Sequence, residues 1–113
     1  MSKNVIMLND DNFNEEIKNG VVLVDFFAEW CNPCKMLGPI IEQLANEVPN
    51  EVKICKVNID LAEKTTFSYN VMSVPTIMIF KDGKPIQVKV GFTSKNDLIS
   101  IISNVLESSI KTN

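Results

Sequence analysis

Residues 24–36 read VDFFAEWCNPCKM. An apolar run ends, a Trp follows, and two cysteines stand three positions apart before a helix-like segment. The run begins at residue 21 and is rich in Val and Phe, as in a strand covered on both faces. Downstream, Met36, Leu37, Ile40, Ile41, Leu44, Ala45 and Val48 recur with helical period, so a helix should begin near Cys34. Pro39 lies inside that pattern and predicts a kink. The cysteines therefore sit where a buried strand hands the chain to a helix.

Outward from this junction, strand and helix patterns alternate. Residues 5–8 form a short strand. Asp10, Asp11 and Asn12 offer capping oxygens for a helix over 12–19, which Gly20 ends. Residues 52–59 read as another buried strand and 62–69 as a short helix, with Phe67 and Tyr69 as core residues. Strands over 76–80 and 86–90 meet across Asp82-Gly83, a hairpin signal. Ser94 and Asp97 form a capping-box pattern before a last helix with the stripe Leu98, Ile101, Ile102, Val105 and Leu106. The order β-α-β-α-β-α-β-β-α implies an α/β fold with a mixed central sheet between helices. Without a repeat or linker, residues 1–113 read as one domain.

Composition narrows the chemistry. A net charge of −3 with no basic cluster argues against nucleic acid. VVLVDFFA is too short, and too broken by Asp25, to span a membrane. The first residues lack the apolar stretch of a signal peptide, so the expected location is cytoplasmic. There is no histidine, which removes Cys-His and Ser-His catalysis and histidine metal sites. Three cysteines, an odd number, do not make a purely structural disulfide framework.

Residues three apart on a first helical turn lie roughly 5 to 6 Å from one another. A disulfide accepts Cα separations of about 4.4 to 6.8 Å, so Cys31 and Cys34 can close with little backbone movement. So short a loop stabilises the fold by only about 2 kcal/mol before strain. The pair suits a bond made and broken repeatedly. At the positive end of a helix, Cys31 gains stability as a thiolate, the nucleophile of thiol–disulfide exchange. Cys34, one turn in, should be the less exposed, resolving thiol. Pro33 fits the first turn, and Trp30 should flank the thiols at the surface. Two other readings fit less well. Inert core cysteines suit a strand-to-helix junction poorly. A zinc site would need two more ligands in a chain with one further Cys, Cys55, and no His. Cys55 itself reads as a small buried hydrophobe.

The segments VDFFAEWCNPCKM, KVNID, VMSVPTIMIFKDG and VGFTS, in this order, resemble the thioredoxin family over almost the whole chain. Asp25 interrupts the apolar strand, so its pKa should rise if it is buried; a solvent-facing edge position is the alternative. The resemblance implies that it is buried and acts as proton acceptor and donor for the resolving cysteine. It also implies that Lys56 approaches and tunes Asp25, where residue pattern alone equally allows a lysine reaching along the sheet to water. A cis peptide bond between Val74 and Pro75 should face the dithiol, with the Val74 backbone and Gly91 meeting a substrate peptide. Without the resemblance, Pro75 could be an edge device and Gly91 a strand terminator.

Three departures from the family pattern stand out: Asn32 where Gly is commonest, Phe27 where a second Trp is usual, and Ser73 at a variable position. Asn32 and Pro33 should tune the redox potential. An Asn32 amide donating to the Cys31 thiolate would make the protein the stronger oxidant.

The resulting expectation is a monomeric protein-disulfide reductase. It has no bound cofactor or metal, and its redox element is the Cys31–Cys34 disulfide. A thioredoxin reductase would supply electrons, and disulfide-containing proteins would be substrates. A thiol oxidant or isomerase, and a redox-independent binding subunit, are the alternatives.

Overall fold

The computed structural model describes residues 5–111. Nine elements follow the expected order: β1 (Ile6–Leu8), α1 (Phe13–Glu16), β2 (Val21–Phe27), α2 (Asn32–Glu47), β3 (Val52–Asn58), α3 (Glu63–Ser68), β4 (Thr76–Lys81), β5 (Lys84–Val90) and α4 (Lys95–Lys111). The strands form one sheet in the order β1-β3-β2-β4-β5. β1 and β2 run parallel to β3, while β4 runs antiparallel to both β2 and β5. β2 is thus central and buried at all seven positions, as its unbroken apolar sequence requires.

Alternation along β2 divides the core. Val21 and Leu23 face α2 and α4, joining Leu37, Ile41, Leu44, Leu98 and Ile102. Val22, Val24 and Phe26 face α1 and α3, joining Phe13, Ile17, Ala62 and Phe80. Phe13, Tyr69 and Phe80 pack edge-on or tilted there, with centroids 5.3 to 5.7 Å apart. By the same alternation Asp25 belongs to the α2/α4 face.

Several local expectations need correction. α1 is a single turn and not a helix over 12–19. Its neighbouring loop folds on itself, Asn9 Oδ1 accepting the Asp11 and Asn12 N–H groups at 2.9 Å. Asp10 does not cap α1. It reaches α3, accepting the Thr65 N–H and hydroxyl at 2.8 Å and the Lys64 N–H at 3.3 Å. Ala62, at the start of α3, has no capping side chain, so a distant carboxylate fills that role.

Phe67 is 87% exposed and not core. Ala62, Thr65 and Tyr69 share the inward face of α3, which turns Phe67 outward. The hairpin is tighter than expected. Asp82 and Gly83 alone form the turn, both at positive φ (49° and 85°), and β5 starts at Lys84. Pro85 fits because β5 is an edge strand with an irregular register opposite Ile79 and Phe80. Ser94 caps α4 as expected, its Oγ accepting the Asp97 N–H at 3.1 Å.

Candidate functional site: a disulfide at a helix N-terminus and a buried carboxylate

α2 begins at Asn32, two residues earlier than its apolar period suggests, because Cys31 is its cap. Cys31 has extended backbone (φ −93°, ψ 112°), and its Sγ accepts the Cys34 N–H at 3.2 Å. Sulfur thus takes the place that a Ser or Asp oxygen usually fills at a helix start. Pro33 falls in the first turn, where no N–H is missed. α2 continues through Pro39 to Glu47. Cys31 and Cys34 are joined as a disulfide with Cα atoms 5.2 Å apart. They are almost equally covered, 6% and 5% exposed, so the expected contrast in exposure is absent from the bonded pair. The Asn32 side chain is exposed, and the hydrogen bond to Cys31 Sγ comes from the Cys34 backbone instead.

Asp25 is fully buried, and neither carboxylate oxygen has a hydrogen-bond partner among the described residues. Burial pushes its pKa up to about 6, against an opposing pull from the Lys56 charge. Lys56 is the register partner of Asp25 on β3. Its ammonium lies 4.4 Å from the centroid of the Phe27 ring. A cavity of about 260 Å³ is lined by Phe27, Glu29, Cys34, Lys35, Gly38 and Lys56, among others. It brings the lysine and the inner sulfur to one space.

Of the remaining expected residues, Val74 is the one packed against the disulfide. The Val74–Pro75 bond is cis, and Val74 packs against the cluster of Phe27, Ala28, Cys31 and Cys34. The Gly91 N–H donates to the Pro75 carbonyl at 2.8 Å. Gly91 has φ +93° and nothing within 4 Å of where a Cβ would stand, so its backbone borders open space. Trp30 is 66% exposed, and its indole N–H donates to Asp60 Oδ2 at 2.9 Å.

Asp60 escaped the sequence reading, for it lies 30 residues from Trp30 and carries no local signal. Exposed Leu61, Met72 and Phe92, beside Asp60, Ser73 and Gly91, were also missed. In a sequence, apolar residues of this kind read as core. Cys55 is buried and unbonded, its thiol pushed up to about 12 by burial, as a packing residue should be. Among the described residues no cluster of His, Cys, Asp or Glu could hold a metal ion. Nor, among them, is any helix long and apolar enough to cross a membrane.

A disulfide capping a helix, on a mixed five-stranded sheet whose central strand buries a carboxyl, defines a thiol–disulfide oxidoreductase. The family model described as Thioredoxin matches residues 4–104. A thioredoxin from Chlamydia trachomatis is 48% identical over 99 residues, covering 88% of this chain and 96% of the relative. One from Staphylococcus haemolyticus is 41% identical over 102 residues, covering 90% and 98%. Among solved structures, a single-site mutant of a thioredoxin from Halobacterium salinarum superposes with a TM-score of 0.76 at 32% identity, covering 88% of each chain. The chain belongs to the thioredoxin family, whose members reduce protein disulfides.

Proposed function

We propose that Cys31 attacks, Cys34 resolves and Asp25 carries the proton between resting and reacting states. The observation that carries this reading is the Cys31 sulfur at the α2 cap, accepting a helix N–H. The same N–H groups and the helix dipole favour a thiolate there over a thiol.

In the reduced protein the Cys31 thiolate attacks one sulfur of a partner disulfide. The partner's S–S bond breaks, and its second sulfur leaves as a thiolate and takes a proton from water. A mixed disulfide to Cys31 remains. Cys34 gives its proton to the Asp25 carboxylate, attacks Cys31 Sγ and expels the partner's first sulfur. Two electrons pass to the partner, and the 31–34 disulfide forms. With a pKa of about 6 in the oxidised form, Asp25 is mostly ionised at pH 7 and poised to accept.

The partner peptide extends along the Val74 backbone beside Pro75, past Gly91 and against Trp30, where exposed apolar side chains and open backbone support docking. Asn32 and Pro33 set the potential, and Lys56 tunes Asp25. The protein works as a single-domain monomer in the cytoplasm, carrying electrons from a thioredoxin reductase to disulfide-containing proteins.

Insulin reduction, driven first by dithiothreitol and then by a thioredoxin reductase with its reductant, tests the reading. Cys31→Ser should abolish turnover, and Cys34→Ser should accumulate covalent complexes through Cys31. Wild-type turnover by Cys31→Ser would overturn the assignment.

A further inference from the structure

Lys56 raises a question of placement. It stands in register with the buried Asp25, yet makes no hydrogen bond to either carboxylate oxygen. An ammonium beside an unpartnered carboxylate would ordinarily close on it or swing out to water. Here it rests over the face of Phe27, 4.4 Å from the ring centroid. Phe27 and Asp25 are two apart on β2 and so share a face of the sheet, the face on which Lys56 also lies.

We infer that Phe27 is a positioning residue: its ring holds the Lys56 ammonium near Asp25 and keeps it from swinging out to water. The negative face of the ring attracts the cation. The carboxylate then feels a positive charge but keeps its oxygens free for the Cys34 proton. This role rests on the exchange chemistry proposed above.

The other groups around Asp25 do not supply such a charge. α2 presents Cys34, with Lys35 exposed at the cavity rim, and the β2–α2 loop presents Glu29, also exposed. β4 presents the register partner Ile77, and α4 contributes aliphatic Leu98 and Ile102 to this face. Lys56 is the charge that acts on Asp25.

The test is the titration of Asp25, followed by carboxyl carbon NMR on the oxidised protein with no partner present. Mono-, di- and trifluorophenylalanine at position 27 weaken the ring face in steps while nearly preserving its shape. Lys56 should drift toward water, and the Asp25 midpoint should rise stepwise. The rise should reach roughly a two- to fivefold gain in proton affinity, the weight of an exposed cation–π contact. Phe27→Leu should raise the midpoint at least as far, and Phe27→Tyr should restore it. In a Lys56→Met background the fluorinated series should have no effect. A midpoint that ignores fluorination, falls with it, or shifts equally without Lys56 would overturn the inference. Because the readout involves no substrate, it stands or falls apart from the proposed exchange reaction.

Discussion

Two carboxylates in this molecule have opposite surroundings. Asp10, in the loop between β1 and α1, accepts hydrogen bonds from Thr65 N–H, Thr65 Oγ1 and Lys64 N–H. Asp25, in the middle of β2, accepts none among the described residues. The Thr65 N–H, then its hydroxyl, lower the Asp10 pKa, whereas burial raises that of Asp25. One carboxylate clips a helix to the body of the fold. The other is held in its charged form at a cost to the fold, and that cost keeps it ready to take a proton. The contrast sets a carboxylate placed to stabilise the fold against one whose cost to the fold fits the proton-carrying role proposed for it.

The largest effect should come from removing the disfavoured charge. Asp25 has a folded-state pKa near 6, above its ordinary 3.8. Its contribution to stability is therefore fully present below about pH 4 and lost as pH rises through 6. Asp25→Asn, which resembles the protonated acid, should stabilise the protein by about 3 kcal/mol at pH 7. The gain should vanish near pH 3.5. Urea denaturation at both pH values measures it, and a loss of stability at pH 7 would break the comparison. In the same variant, release of a Cys31-linked mixed disulfide should slow, and its rate should lose its pH dependence around 6.

Asp10 should behave in the opposite sense. Its folded-state pKa lies below the ordinary 3.8, so its stabilisation is present above that value and lost as pH falls through the lowered one. Asp10→Ala should lower the melting temperature at pH 7, by less than Asp25→Asn raises it. The deficit should shrink in acid. Amide exchange should quicken first in α3, whose opening turn loses its cap. A variant with unchanged protection in α3 would show that the clip is incidental.

The sequence exposed one of these carboxylates and concealed the other's purpose. Asp25 was conspicuous because it interrupts an apolar run, and a polar residue in a doubly covered strand demands explanation. Cys31 and Cys34 were legible through spacing, since three positions at a helix start meet disulfide geometry. Asp10 looked like a cap for the adjacent helix, because local rules favour near partners. Its actual partner is 55 residues away, and only the fold brings them together. Phe67 misled for a related reason. A six-residue helix has too few turns to show which side is inward. A mixed sheet followed from the alternation of strands and helices, whereas the exact hairpin length depended on a bulge that seats Pro85 in the edge strand.

The smallest effect concerns a third carboxylate, Asp60, which lies in neither extreme. It is exposed and accepts the indole N–H of Trp30 at 2.9 Å. Nothing buried depends on that bond, so Trp30→Phe should change stability by no more than about 0.5 kcal/mol. The ring it steadies is nevertheless two-thirds exposed beside the disulfide. A large aromatic surface left uncovered on a fold this size is suited to a partner's weight and not the protein's own. Trp30→Phe should therefore raise KM for a protein disulfide several-fold while leaving kcat, and exchange with a small disulfide, nearly unchanged. Equal loss on large and small substrates would place Trp30 with Asp25, among the residues that act on the sulfur chemistry itself. A selective rise in KM would make it a residue of the docking surface, held in place by a carboxylate that neither stabilises the fold nor moves a proton.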